Sequence, residues 1–74
     1  MAHRKAGVPD SFGSYNLDKA VLLRFLQEVF AQKKWQDEDF DVEPRGKNLW
    51  VFWVPELLTD KQRLELADRR APSN

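Results

Sequence analysis

Leu49-Trp50-Val51-Phe52-Trp53-Val54 is an unbroken apolar run, closed by Pro55 and preceded by Arg45-Gly46-Lys47-Asn48. It is far shorter than the roughly 20 residues that cross a bilayer as a helix, so no membrane span is expected. Its β-branched and aromatic residues favour a strand. Successive side chains of a strand point to opposite sides, so Leu49, Val51 and Trp53 share one face while Trp50, Phe52 and Val54 share the other. Both faces are apolar. The fold must cover both, or leave one as a surface on which another molecule can dock.

The cover available is limited, because 74 residues support one small core. Leu22, Phe25, Leu26, Val29 and Phe30 recur at spacings of three and four, which predicts a helix from about Leu17 to Lys34 with Asn16 as N-cap. Lys33 and Lys34 suit its negative C-terminal end. Phe40 and Val42 alternate with Asp39, Asp41 and Glu43 as in a half-buried strand that Pro44 ends. Gly46 supplies a turn, and the apolar run completes a β-hairpin. Thr59 followed by Gln62 is a capping box for a last helix reaching about Arg70, with a narrow stripe of Leu64 and Ala67. The fold class is therefore α+β, a small single domain of helix, β-hairpin and helix over residues 16–70.

Residues 1–15 hold two glycines, a proline and two serines without a sustained period, and read as a flexible basic N-terminal arm. Val8, Phe12 and Tyr15 are the residues able to pin it. Residues 71–74 read as a disordered tail. The first helix covers one face of the apolar strand, whereas the last is a poor cover for two large rings. Either Leu57, Leu58 and Leu64 complete a two-sided core, or an aromatic patch is exposed.

Catalytic chemistry finds few of its parts. The only histidine, His3, lies in the arm where nothing fixes it as a base, and so short a chain struggles to build a cleft that excludes water. No enzyme activity and no catalytic residue are expected. Without cysteine there is no disulfide framework and no thiolate metal site, which fits a cytoplasmic compartment. Asp37, Asp39 and Asp41 are spaced like the first ligands of an EF-hand loop, but Val42 and Asn48 stand where that loop needs glycine and glutamate. No metal and no cofactor are expected.

Lys and Arg number 12, as do Asp and Glu, so net charge gives no long-range pull toward nucleic acid. Residues 25–43 carry six acidic and two basic groups, while residues 44–54 carry two basic groups and no acidic one. Arg45 to Phe52 resembles the RNA-recognition-motif signature only loosely, because Lys47 and Leu49 stand where rings would stack on bases. A monomeric protein-binding module fits best. Its candidate contacts are Trp50 and Phe52 as aromatic anchors, Arg45 and Lys47 as a basic turn beside them, and Trp35. Arg4 and Lys5 are candidates for a nucleic acid or an acidic groove.

A basic arm bearing Arg4 and Lys5, a tryptophan-rich body and no catalytic groups together resemble the small regulators that lytic bacteriophages make to bind host RNA polymerase. The resemblance is greatest to the kind that docks on the largest subunit near the RNA exit channel, displaces the initiation factor and lets the enzyme read through terminators. It implies a bacterial RNA polymerase as partner, the host cytoplasm as location, and inhibition of initiation or antitermination as outcome. A small nucleic-acid-binding or generic protein-interaction domain of a cellular assembly is the alternative.

Overall fold

A computed structural model describes residues 7–71. The chain forms β1 (Val8–Gly13), α1 (Lys19–Val29), a 3-10 turn (Ala31–Lys33), α2 (Asp37–Phe40), β2 (Glu43–Arg45), β3 (Leu49–Val54) and α3 (Asp60–Ala67). Over the described residues it is a mixed α+β domain with three helices and an antiparallel sheet in the order β1-β3-β2. The apolar run becomes the central strand. Val8 opposes Val54 and Gly13 opposes Leu49 on one side, while Glu43 opposes Val51 and Arg45 opposes Leu49 on the other.

Helix α1 follows its apolar stripe. Leu22, Phe25, Leu26 and Phe30 are buried, and Val29 is half-buried. Its first helical residue follows Asp18, whereas Asn16 takes a left-handed φ of 52° in the preceding turn. There Asn16 Nδ2 donates to the Ala71 carbonyl at 3.2 Å, and Ala71 N–H donates to the Asn16 carbonyl at 2.8 Å. Lys33 and Lys34 fall beyond the α-helix, in the 3-10 turn and at its end. The hairpin turn forms as expected, with Gly46 at a φ of 65° that a side chain would strain.

Three elements depart from the sequence-based expectations. Residues 8–13 of the expected arm form β1 and contribute buried Phe12 to the core, because the unpaired flank of β3 offers a full ladder of hydrogen bonds. Residues 1–6 and 72–74 lie outside the described residues. Asp37–Phe40 forms helix α2 where the sequence predicts a polar connection leading into a strand at Phe40, with Gln36 N–H donating to Asp39 Oδ2 at 2.7 Å across its first turn. Strand β2 is correspondingly short and contains Pro44 at its centre.

Helix α3 begins at the expected capping box, where Gln62 N–H donates to Thr59 Oγ1 at 3.1 Å and Thr59 N–H donates to Gln62 Oε1 at 2.9 Å. Its buried residue is Leu66, while Leu64 is 70% exposed. The narrow stripe is supplemented by arginines. The Arg63 and Arg70 guanidinium carbons lie 5.2 and 4.9 Å from the centroid of the Phe12 ring, and that of Arg69 lies 5.2 Å from the Phe25 ring. Aliphatic stems and cation–π contact thus cover apolar surface that a leucine stripe would otherwise cover.

Candidate docking surface

Alternation along β3 separates two environments. Phe52 and Val54 are fully buried, and Trp50 is half-buried with its Nε1–H donating to the Leu17 carbonyl at 2.8 Å. This face packs under the helices with Phe12, Leu22, Leu26, Phe40 and Leu66. Phe52 is therefore a core residue and not an aromatic anchor. Trp50 is held at the core rim by its hydrogen bond. Trp35 is likewise buried, at 5% exposure, with its ring centroid 5.3 Å from that of Phe40. Candidate anchors for a partner were expected on this face because ring size is legible in sequence and strand orientation is not.

Leu57, Leu58 and Leu64 do not complete a second core face. Leu58 is buried in the single core, whereas Leu57 and Leu64 are exposed. The outer face of the sheet consequently carries Leu49, Val51 and Trp53 from β3, small Pro9, Ser11 and Gly13 opposite them on β1, and Glu43 and Arg45 on β2. Leu49 is exposed, Val51 and Ser11 are half-buried, and Trp53 packs partly against the core. Large side chains on the central strand beside small ones on β1 leave a groove of about 410 Å³ lined by Pro9, Asp10, Ser11, Arg45, Leu49 and Val51.

Arg45 and Lys47 are exposed at the end of this face and make no ion pair among the described residues. The Arg70 guanidinium reaches the same end across β1. It donates to the Tyr15 carbonyl, and its Nη2 lies 3.2 Å from where a Cβ on Gly13 would sit. Ser14 N–H donates to the Asn48 carbonyl at 3.0 Å, so the end of β1 and the hairpin turn lie side by side. Arg4 and Lys5 lie outside the described residues.

Other surface features carry different chemistry. A depression of about 460 Å³ between the end of α1 and the loop before α3 is lined by Phe30, Lys33, Glu56, Leu57 and Gln62 among others, with Lys33 Nζ 4.0 Å from Glu56 Oε2. Arg69 Nη2 and Glu28 Oε1 form an exposed ion pair at 2.5 Å, whose hydrogen bond holds the Glu28 carboxyl below the ordinary carboxylate range and raises Arg69. Among the described residues no group of three His, Cys, Asp or Glu side chains converges as a metal site, and no helix is long and apolar enough to cross a membrane. Comparison with protein-family models, curated proteins and solved structures returned no match.

Proposed function

We propose that the chain is a non-enzymatic protein-binding regulator that docks on a larger assembly through the outer face of its sheet. The observation that carries this reading is the groove beside Leu49 and Val51, where apolar side chains adjoin Ser11 and Arg45 makes no ion pair among the described residues. With Arg45 at the groove and Glu43 opposite Val51 on the same face, the surface suits an apolar partner region that sets an acidic group against Arg45. The partner implied by the resemblance of the sequence to phage regulators is a bacterial RNA polymerase. Docking there would inhibit initiation or promote read-through of terminators, and would place the protein in the host cytoplasm.

A contact with transcript phosphates is a second component, supported by the gathering of Arg45, Lys47 and Arg70 at one end of the sheet. Purified bacterial core polymerase, titrated with the protein at several salt concentrations, tests both. Saturable binding that persists at high salt fits the apolar face. Binding to bare RNA with a steep salt slope, and no binding to polymerase, would replace this reading by the nucleic-acid alternative.

A further inference from the structure

An open sheet can take a partner in two ways, by adding a strand at an edge or by packing something on its face. The two edges here have a common property. In an antiparallel pair, opposed residues alternate between those that exchange hydrogen bonds and those whose backbone groups point away from the partner strand. Proline has no N–H and fits only the second kind of position. Pro9 opposes Trp53 and Pro44 opposes Trp50, and these registers are mutually consistent. Strand β3 turns the backbone groups of its even-numbered residues toward β1 and those of its odd-numbered residues toward β2.

The outward-pointing residues are therefore Pro9, Ser11 and Gly13 on β1, and Pro44 on β2. Neither proline offers a donor. Ser11 N–H is already taken, donating to Asp10 Oδ1 at 2.8 Å. Asp10 is itself held from the other side, because Oδ2 accepts Leu58 N–H at 3.1 Å and Oδ1 accepts from Arg63 Nη1 at 3.2 Å. Gly13 remains, with Arg70 Nη2 beside it. Both edges are thus poor templates for an incoming strand.

The face has complementary dimensions. Three strands about 4.8 Å apart give a strip about 10 Å between outer strands, which matches the roughly 10 Å diameter of a helix. Its area, roughly 20 by 14 Å from strand rise and spacing, falls well short of the ~800 Å² per partner of a standard interface, so a second copy stacked on it would not form a stable dimer. A single element projecting from a larger partner fits, with further contacts elsewhere.

Resting on the protein-binding reading above, we propose that the occupant of this face is an amphipathic helix of the partner. Its apolar stripe lies in the groove between Ser11 and Val51, its acidic residues face Arg45, and strand addition is closed at both edges. The probe is a synthetic helical peptide with leucines three and four residues apart and glutamates on its flanks, titrated into the full nitrogen-15-labelled chain. A peptide of the same composition with leucine and glutamate alternating serves as the strand-period control. Saturable shifts at Ser11, Arg45, Leu49 and Val51 with the helical peptide alone are expected, weakened roughly tenfold or more by Val51→Glu or by Ser11→Tyr, which fills the groove with a residue strands accept. Shifts with the alternating peptide along β1 or β2, helical-peptide shifts on another surface, or no shifts with either would overturn the proposal.

The edges are tested without any ligand. Pro9→Val with Pro44→Val restores both donors and is expected to self-associate with rising concentration in sedimentation, as Pro44→Val alone does to a lesser degree. Variants that stay as monomeric as the parent would refute the edge argument. If the helical peptide fails while polymerase binding still falls with Val51→Glu, the docking face stands and only its occupant is wrong. If polymerase does not bind at all but the peptide does, the polymerase reading fails and the helix-accepting face stands.

Discussion

The Trp50 indole N–H donates to the Leu17 carbonyl at 2.8 Å, joining the central strand to the turn before α1 across 33 residues of chain. This bond makes Trp50 a structural residue. Trp50→Phe keeps most of the apolar contact but leaves the carbonyl without that donor, and should cost on the order of 1 to 2 kcal/mol in denaturant unfolding. Partner affinity, measured where the variant remains folded, should be unchanged. A large loss of affinity with no loss of stability would return Trp50 to the role of anchor.

Phe52 and Val51 are neighbours in sequence with opposite surroundings. Phe52 is fully buried, so Phe52→Ala should cost about 3 to 5 kcal/mol, enough to unfold much of so small a domain. Val51→Thr on the outer face should cost far less. Calorimetric melting of the two variants checks the contrast, and equal losses would mean that both faces of β3 are covered.

Asp10 ties the β1 edge to α3 through Leu58 N–H and Arg63. Asp10→Ala should destabilise by roughly 2 kcal/mol, since it leaves a half-buried N–H and a guanidinium without their acceptor. Hydrogen exchange should also quicken at Ser11, whose N–H loses its cap, more than at Val51. Unaltered exchange at Ser11 would show that its N–H bonds elsewhere.

Much of this fold is legible in sequence where the local pattern agrees with the tertiary outcome. The stripe from Leu22 to Phe30, the Gly46 turn, the boundaries of β3 and the Thr59–Gln62 capping box all emerge as expected. Strand β1 does not, because Pro9 and Gly13 read locally as loop residues. Their significance appears only against a neighbouring strand, where proline suits an outward edge position. Helix α2 is missed because Phe40 and Val42 alternate with acids, while the signal that names a helix start, Gln36 with Asp39, is weak without its geometry. Of the candidate contacts, Arg45 and Lys47 are exposed as expected. Phe52 and Trp35 are buried because strand pairing and the Trp35–Phe40 contact, neither visible in sequence, decide which rings face inward.

The Glu28–Arg69 pair makes a prediction for acid solution. Glu28 has a lowered pKa in the folded chain, chiefly from the Arg69 hydrogen bond, so the pair stabilises the fold above the unfolded carboxylate pKa. That contribution is lost as pH falls through the lowered folded value, and it is small because the pair is exposed. In a carboxyl NMR titration Glu28 should have its midpoint below the ordinary glutamate range, and Arg69→Ala should bring it back. An ordinary midpoint in the parent chain would mean that the pair is open in solution.

The claim that the outer sheet face is the docking surface is tested most directly by titrating purified bacterial core RNA polymerase with the parent chain and with Val51→Glu, whose folding is verified by near-ultraviolet circular dichroism. Saturable binding by the parent and a loss of roughly 2 kcal/mol or more in the folded variant are expected, because a charge is set in the centre of the apolar contact. Equal affinity of the two chains would contradict that claim and move the docking surface away from β3.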